Sequence, residues 1–396
     1  MLDLHTVELL LDLPCLSVSS VLVEKGKLSI SCCSILEENI CPCCLQKLSQ
    51  VKKRNTRIVR DLPIVGKVVE LHLESRQFYC PDCNRYAQEH FEFVGDSRTM
   101  TNRYEKHVYE CCRHSTIERV VTQENIVWDS VQAIFTRYAK QETAFLSNYQ
   151  PTRIGIDEFA IKKGHKDFAT VLVDLDTGYV LDVLNFRLKD ELIVYFKAKG
   201  DVFCSKIEVF SCDLWEGFIS TAQTVFPNAA IIADRFHCSK LLNEVLDKER
   251  RKLRREFKQE AEYKNIKWLL FKHWETLNDK QKRTLLKVFR KSSILRQLYF
   301  AKNEWRNIFE DNISKNKAQD LLQTWIEDAK KLNHQGLNTF IKTLETHFEI
   351  ILNFFTHRIS NGIVEGTNNV IKMIKRTGFG FRNFDNFKLK ILCQFV

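Results

Sequence analysis

The stretch Arg153-Ile154-Gly155-Ile156-Asp157-Glu158-Phe159-Ala160-Ile161 decides the fold of the second half of the chain. Its apolar residues do not alternate strictly with polar ones, a pattern that is typical of a strand buried on both faces. Two acids interrupt the run, and a buried carboxylate is unfavourable unless a metal or another partner compensates it. Lys162, Lys163 and His165 follow only after the predicted strand has ended. The stretch therefore predicts an interior strand that carries an uncompensated carboxylate.

Two more strands are predicted directly after this one, at 168–176 and 179–187, since both segments are rich in β-branched and aromatic residues. Thr177-Gly178 between them is a hairpin signal. The pattern then predicts a helix at 188–199, a strand at 206–212, a helix at 215–226, a strand at 228–233 and a long helix after Asp234. This order resembles the ribonuclease-H-like α/β fold, in which acids at the ends of the first and fourth strands converge.

Length, composition and charge set bounds on the kind of protein. The 396 residues, of which 44% are hydrophobic, are enough for two or three domains with a substantial core. The formal net charge of +10 favours a polyanionic partner. No apolar run approaches the ~20 residues that a membrane span needs, and the N-terminus lacks the basic segment of a secretion signal. We therefore expect a protein that stays inside the cell.

The N-terminal part predicts a small β domain. Residues 1–35 alternate apolar and polar side chains, which predicts a small antiparallel sheet with a turn at Lys25-Gly26. The chain has 14 cysteines, and without a secretion signal they are expected to be reduced thiols, a subset of them on a metal.

Two C-x-x-C knuckles, each with a proline in its turn, can supply four thiolates to a tetrahedral zinc ion. The predicted zinc ligands are Cys41, Cys44, Cys80 and Cys83. Cys43 competes as a ligand, but Cys41 and Cys44 keep the two-residue gap. A hairpin is expected between the knuckles, because they are far apart in sequence. The alternative is a set of buried cysteines without metal.

The period becomes helical between Thr101 and Gln141. The first helix shows one apolar face, formed by Tyr104, Val108, Cys111 and Cys112. Short helices at 116–123 and 128–140, joined at Glu124-Asn125, complete the size and order of a helix-turn-helix, whose second helix would enter the major groove of DNA. A plain three-helix linker is the alternative.

Helix breakers almost disappear after Pro227, the last of six prolines, and Gly336 is the only glycine between Phe218 and Asn361. This pattern predicts an all-α region at 241–357. Within it, the segment 248–258 has seven basic residues in eleven. Such a segment fits a solvated helix face, and it also fits a contact to the DNA backbone.

A final helix is predicted over 361–376. At about 100° per residue, one of its faces is polar and the other is apolar. The polar face carries Glu365, Asn368, Asn369, Lys372 and Arg376. One acid in a stripe of amides and cations is unusual for a surface helix, but it suits a position beside a metal and phosphate groups.

Five motifs, in this order, resemble the ISL-three family of bacterial insertion-sequence transposases. They are Asp157-Glu158-Phe159 with Lys163-Gly164-His165; Asp213-Leu214-Trp215; Ala233-Asp234-Arg235-Phe236-His237; Asn361-Gly362 through Glu365-Gly366 to Asn368; and Lys375-Arg376 with Gly380-Phe381-Arg382-Asn383. The two knuckles and the helical segment after them resemble the N-terminal half of that family. The resemblance thus covers nearly the whole chain.

The resemblance implies a DDE transposase with an α/β catalytic domain. The ribonuclease-H-like core would comprise 151–240 and 358–396, with an all-α insertion at 241–357. A zinc-ribbon-like β domain at 1–97 and a helix-turn-helix domain at 98–150 would precede it. Asp157, Asp213 and Glu365 would be the catalytic acids and the ligands of Mg²⁺ or Mn²⁺.

The chemistry of such a triad has a physical reason of its own. Three acids that converge from two strand ends and a helix can hold two divalent ions about 4 Å apart, as in-line displacement at phosphorus requires. Asp234 also ends a strand, but Asp213 is preferred because it follows the fourth strand rather than the fifth. Glu158 points away from Asp157, and the family pattern selects Asp157. His165 and His237 are expected to make ordinary polar contacts.

The function implied is that of an insertion-sequence transposase that binds terminal inverted repeats, then cleaves and transfers DNA strands. It would act as a homo-oligomer on DNA in the bacterial cytoplasm, associated with the nucleoid. The residues expected to bind DNA are Asn368, Lys372, Lys375, Arg376 and Arg382. The alternative is a catalytically silent DNA-binding protein, either a regulator or a domesticated transposase, and the presence of all three acids disfavours it. A nuclease without strand transfer is a third reading.

Overall fold

The computed structural model describes residues 3–161, 167–256, 266–359, 361–378 and 380–396. Lys162, Lys163 and His165, and the end of the basic segment at 257–258, lie outside the described residues. The chain divides into two units, Met1–Glu142 and Thr143–Val396. In the described parts, no helix combines the length and the apolar character that crossing a membrane requires.

The first unit is built around a five-stranded sheet in the order β1-β2-β6-β5, with β7 on β6. Its strands, together with a separate β3–β4 pair, are β1 (Leu16–Glu24), β2 (Lys27–Ser34), β3 (Asn39–Ile40), β4 (Lys47–Leu48), β5 (Val51–Ile64), β6 (Lys67–Cys80) and β7 (Arg85–Gln88). The predicted hairpin across Lys25-Gly26 is confirmed. The prediction of a sheet is wrong for 4–11, which form helix α1 (Leu4–Leu11). This segment buries Val7 and Leu11, four residues apart, which is a helical spacing.

Strands β5 and β6 form the hairpin expected between the two knuckles. Val65 and Gly66 connect them, and both have positive φ, 50° and 71°. A two-residue turn of this kind matches the twist of the strands that it joins, and the glycine adopts its conformation without strain. Since β5 leaves the first knuckle and β6 returns to the second, the hairpin brings the distant cysteine pairs together.

Three helices follow at the predicted positions, namely α2 (Asn102–His114), α3 (Ile117–Glu124) and α4 (Trp128–Thr143). The side chains of Thr101 and Thr116 cap α2 and α3 by accepting backbone N–H groups. Asn125 ends α3 in the left-handed conformation, with φ 50°. The chain therefore turns between α3 and α4 at the predicted connection.

The second unit contains a five-stranded sheet in the order β10-β9-β8-β11-β12. Its strands are β8 (Arg153–Ala160), β9 (Phe168–Asp174), β10 (Val180–Leu184), β11 (Val209–Cys212) and β12 (Ala230–Ala233). β8, β9 and β10 form the predicted antiparallel meander, while β11 runs parallel to both β8 and β12. The predicted order of strands along the chain is thus confirmed.

Helices cover both faces of this sheet. On one face, Ile154, Ile156 and Phe210 pack with α5 (Lys189–Ala198) and α7 (Glu216–Val225), and the short α6 (Asp201–Ser205) lies between these helices in sequence. On the other face, Phe159 and Val171 pack with α15 (Gly362–Thr377) and α16 (Phe384–Leu392). Burial on both faces explains why the strands do not alternate strictly.

Gly155 allows α15 to lie close to β8. A β-carbon at this position would stand 2.4 Å from Val364 of α15 and 2.7 Å from Leu175, closer than packed carbon atoms allow. The glycine in the strand therefore lets α15 lie against the sheet beside Asp157.

The predicted all-α region is confirmed in the described residues. Its helices are α8 (Arg235–Glu256), α9 (Ile266–Phe271), α10 (Asp279–Lys291), α11 (Ser293–Glu310), α12 (Lys315–Lys331), α13 (Gln335–Thr346) and α14 (Phe348–His357). They share one core, in which Trp305 and Tyr299 are fully buried. The Asn353 side chain on α14 donates to the Ile231 carbonyl on β12 and ties this region to the sheet edge.

Candidate active site and zinc site

Three aspartates stand in one row across three neighbouring parallel strands, with Asp157 inside β8 and with Asp213 and Asp234 directly after the ends of β11 and β12. Ser211 on β11 pairs with Gly155 on β8, and Cys212 on β11 pairs with Ala233 on β12. Continuing these pairings by one or two residues places Asp213 beside Asp157 on one side and beside Asp234 on the other. The topology of the sheet therefore brings together acids that are far apart in sequence.

The Asp157 carboxylate is held at both oxygens. Its Oδ1 accepts the backbone N–H of Glu158 at 2.8 Å, and its Oδ2 accepts Nδ2 of Asn368 on α15 at 2.6 Å. Glu158 is turned to a different partner, since it forms an ion pair with Arg187. Asp157 is thus the acid of this pair that meets α15.

Asp213 and Asp234 adopt the same local turn, but they differ in whether the second carboxylate oxygen, Oδ2, has a partner. Each Oδ1 accepts the backbone N–H two residues further on, of Trp215 and of Phe236, at 3.0 Å. Asp234 Oδ2 also contacts His237 Nδ1 at 2.9 Å. For Asp213 Oδ2, the described chain supplies no hydrogen-bond donor. Asp213 therefore keeps an oxygen available for a ligand.

Burial raises the pKa of the Asp157 carboxyl, and the charge of Asp213 raises it further. Burial also raises the pKa of Asp213, with smaller contributions from Glu158 and Asp234. The pKa of His237 is raised in turn, first by its hydrogen bond to Asp234 and then by the charges of Asp213 and Asp157. The row thus concentrates more negative charge than one histidine can balance, as expected of a site for divalent cations.

Helix α15 adds the third predicted acid. Glu365 lies in the first turn of the helix, where its backbone N–H donates to the Asn361 carbonyl at 2.9 Å. Its exposed side chain faces a cavity of about 670 Å³ that Asp157, Asp234 and His237 also line. Within the described ranges the Glu365 carboxylate has no ion-pair or hydrogen-bond partner. Asp213 stands beside Asp157 but does not line this cavity.

The acids form an extended arrangement rather than one tight cluster. Among the residues that the structure describes, Asp157, Asp213 and Glu365 do not form a group whose oxygens all lie within 4.8 Å of one another. A single ion surrounded by all three acids is therefore not what this geometry offers. Two ions that share one acid need only pairwise proximity.

Two amide oxygens beside the acids are buried without a partner in the described chain. They are the Oδ1 atoms of Asn361 and Asn368, and both residues line the same cavity. A buried carbonyl oxygen without a donor is unfavourable, and such oxygens are suitable ligands for hard cations. Asn361 is absent from the predicted site residues, although its place four residues before Glu365 puts it on the same side of the helix.

The residues predicted to bind DNA fall into two groups. Lys372, Arg376 and Arg382 are exposed, and Lys372 lines the cavity with the acids. Asn368 instead donates to Asp157, and Lys375 Nζ donates to the Ala160 carbonyl at the end of β8 at 2.8 Å. These two side chains hold α15 against the sheet.

The basic segment of α8 forms a separate surface. Arg250, Arg251, Arg254 and Arg255 line a cavity of about 580 Å³. Asp247 forms ion pairs with Arg250 and Arg251. The segment is therefore a partly neutralised basic helix face.

The four predicted zinc ligands come together in the first unit. The sulfurs of Cys41, Cys44, Cys80 and Cys83 all lie within 4.8 Å of one another. Cys41 and Cys83 are 3.9 Å apart and Cys44 and Cys80 are 3.5 Å apart, near the edge of about 3.8 Å that Zn–S bonds of about 2.3 Å give in a tetrahedron. Cys43 is exposed and lies outside the group.

The local backbone favours the thiolate form of one of these cysteines. Hydrogen bonds from the backbone N–H groups of Cys44 and Cys43 lower the pKa of Cys41 to about 6. A thiolate is the form that binds metal. The donor set and its spacing both fit zinc.

Comparison with known proteins finds a matching family model in each of the two units. Residues 154–391 match the ISL-three model of DDE transposases, described as "Transposase", and residues 37–83 match a model described as "zinc-finger of transposase IS204/IS1001/IS1096/IS1165". The chain is similar to the transposase for insertion sequence element IS1001 of Bordetella parapertussis, with 27% identity over 361 residues, which cover 90% of this chain and 88% of that protein. It is also similar to the transposase for insertion sequence element IS1557 of Mycobacterium tuberculosis, with 26% identity over 284 residues, 65% of this chain and 63% of that protein.

Proposed function

The chain belongs to the ISL-three family of insertion-sequence transposases, and on that premise we propose that Asp157, Asp213 and Glu365 carry its DNA strand cleavage and transfer. It is a DNA transposase of the DDE type with an N-terminal zinc ribbon. The observation that carries the residue assignment is the register of β8 and β11, which sets Asp157 beside Asp213 while Glu365 faces the cavity that Asp157 lines.

The donor set suits Mg²⁺ or Mn²⁺. Carboxylates and amide carbonyls are hard oxygen ligands, and the buried oxygens of Asn361 and Asn368 add two to the three acids. Asp157, Asp213 and Glu365 would hold these ions. When bound, such ions activate the attacking water or DNA 3′-hydroxyl and stabilise the leaving oxygen.

The remaining residues orient these ligands and the DNA. Asn368 fixes one oxygen of Asp157, and Lys375 fastens α15 to the end of β8, so that Glu365 keeps its position relative to the sheet. Lys372, Arg376 and Arg382 would contact phosphate groups of the bound strand. Lys372 is the best placed of the three, because it shares the cavity with Asp157 and Glu365.

Asp213 is proposed as the second acid in preference to Asp234. It stands between the other two aspartates in the row, whereas His237 occupies Oδ2 of Asp234. Both oxygens of Asp234 are therefore already in hydrogen bonds, whereas Oδ2 of Asp213 has no donor among the described residues. Asp234 with His237 would instead balance part of the charge of the row.

We further propose that the sheet of the second unit is a ribonuclease-H-like core formed by 151–240 and 358–396, with 241–357 inserted. Its strand order and the placement of the acids support this assignment. The β domain at 1–97, with zinc on its four cysteines, and the helices at 98–150, acting as a helix-turn-helix, would bind the terminal inverted repeats. A homo-oligomer would pair two element ends, acting on nucleoid DNA in the bacterial cytoplasm.

The test is strand cleavage of linear DNA that carries the inverted repeats flanking the gene, with and without Mg²⁺. Asp157→Ala, Asp213→Asn and Glu365→Gln are expected to abolish cleavage while retaining binding to the same DNA. Asp234→Asn serves as the matched acid variant and is expected to retain metal-dependent cleavage. Full activity of Asp157→Ala, or loss of activity in Asp234→Asn with retention in Asp213→Asn, would overturn the assignment.

A further inference from the structure

A second group of metal-binding side chains lies in the first unit, away from the four-cysteine finger. His107 and Cys111 are one helical turn apart on α2, and Glu124 is the last residue of α3. A ring nitrogen of His107, the sulfur of Cys111 and an oxygen of Glu124 all lie within 4.8 Å of one another. The sequence pattern assigned Cys111 only to an apolar helix face.

The spacing of these atoms matches a tetrahedral zinc ion. His107 Nε2 is 3.3 Å from Glu124 Oε1 and 3.6 Å from Cys111 Sγ. Zn–N and Zn–O bonds of about 2.0 Å and a Zn–S bond of about 2.3 Å require edges of about 3.3 Å and about 3.5 Å. In the four-cysteine finger, the sulfur–sulfur distances of 3.9 Å and 3.5 Å lie similarly near the required edge of about 3.8 Å. Both separations from His107 are therefore as close to the required edges as those in the finger.

The carboxylate of Glu124 is already oriented by other groups. Its second oxygen, Oε2, accepts the hydroxyl of Tyr104 at 2.8 Å and lies 3.8 Å from the Arg60 guanidinium. These contacts leave Oε1 directed at His107. Outer hydrogen bonds of this kind commonly fix the ligands of metal sites.

The chemistry of the donors selects the type of metal. A thiolate and an imidazole favour zinc over the hard ions that suit the acidic site. One thiolate and one carboxylate together balance the charge of Zn²⁺, and neutral histidine adds none.

We propose that His107, Cys111 and Glu124 bind a second zinc ion. Three protein ligands leave the fourth tetrahedral position open to water or another donor. The ion would join α2 to the end of α3, immediately before Asn125 turns the chain into α4. It would thereby fix the relative positions of α2 and α3, independently of whether the acidic site cuts DNA.

The first test is the number of zinc ions per chain in the purified full-length protein, equilibrated with zinc and measured by elemental mass spectrometry. Two ions are expected for the wild type, and one for His107→Ala and for Cys111→Ser. Cys43→Ser is the matched control, since that thiol is exposed and lies outside both groups; it should keep two ions. A single ion in the zinc-saturated wild type would overturn the proposal.

The second test is alkylation of individual cysteines under zinc saturation, followed by peptide mass spectrometry. Cys111 is expected to react faster in His107→Ala than in the wild type, because a thiolate bound to zinc is less available as a nucleophile. The buried neighbour Cys112 reports whether the variant stays folded, and its rate should not change. Equal rates at Cys111 in the two proteins, with Cys112 still protected, would contradict zinc binding there.

Discussion

Replacing Asn368 by alanine should raise the Mg²⁺ concentration that strand cleavage requires without weakening DNA binding. The substitution removes the 2.6 Å hydrogen bond from Nδ2 to Asp157 Oδ2. A hydrogen bond to a charged group contributes about 1.5–3 kcal/mol, and loss of a group that orients a metal ligand typically lowers metal affinity about 10–100-fold. The Mg²⁺ concentration for half-maximal cleavage should therefore rise by about 10–100-fold.

The same variant should shift the pH dependence of cleavage. The hydrogen bond from Asn368 lowers the pKa of Asp157, opposing the rise that burial causes. Without it, this pKa rises further, and metal requires the ionised carboxylate. Cleavage at a fixed, limiting Mg²⁺ concentration should therefore decline at a higher pH in Asn368→Ala than in the wild type as the solution is acidified.

The assay is cleavage of labelled end DNA over a Mg²⁺ series at several pH values, with DNA affinity measured separately without metal. Asn369→Ala is the matched control, because Asn369 is the adjacent amide and is exposed. It should behave as the wild type. An unchanged Mg²⁺ requirement in Asn368→Ala, or an equal change in both variants, would refute the role assigned to Asn368. A loss of metal-free DNA affinity confined to Asn368→Ala would instead make it a DNA contact.

Three further predictions concern stability and the finger. Gly155→Ala should lower the free energy of unfolding by about 1–3 kcal/mol, because the added methyl group would overlap the side chain of Val364 on α15. Gly366→Ala on α15, which has open space around it, should raise that free energy by about 0.5–1 kcal/mol; chemical denaturation distinguishes the two. Burial lowers the pKa of Lys302 to about 7, whereas in the unfolded chain this pKa is near 10.5. Between about pH 7 and about pH 10.5 the unfolded chain therefore binds more protons than the folded chain, and the free energy of unfolding rises with pH. The free energy of unfolding relative to Lys302→Met should thus increase by about 2 kcal/mol between about pH 7 and about pH 9, and a flat difference would contradict this. Cys80→Ser should lose the finger's zinc whereas Cys43→Ser keeps it, as elemental analysis can measure; equal loss would contradict the ligand set.

The strands and acids of the second unit were predictable because local patterns specify them. The meander follows from β-branched runs and a Thr177-Gly178 turn. Asp157 interrupts a buried run, and Asp213 and Asp234 each follow the end of one. The choice between Asp213 and Asp234 depends on what surrounds each carboxylate. Pattern alone does not show that the strands align in one row, since strand pairing is a long-range property of the folded sheet. The contact of His237 with Asp234 is local, but it depends on the side-chain conformation at the start of α8.

The functions of several side chains depended on what packs against their helix. A helical wheel assigned Asn368 to the polar face of α15, but the sheet covers the edge of that face, and the side chain is buried against Asp157. Lys375 turns back to β8 for the same reason. The grouping of His107 with Glu124 likewise arises only when α3 packs on α2. At the N-terminus, the apolar alternation that predicts strands does not hold for 4–11. The buried residues of this segment have a helical spacing, and the segment forms α1.

The most direct measurement is a structure of the protein bound to element-end DNA and Mn²⁺, with the metal located by its anomalous scattering. Two manganese ions are expected, held by Asp157, Asp213 and Glu365. Manganese held by Asp157 and Asp234 with Asp213 unligated, or with Glu365 directed away from both ions, would contradict the proposed catalytic triad.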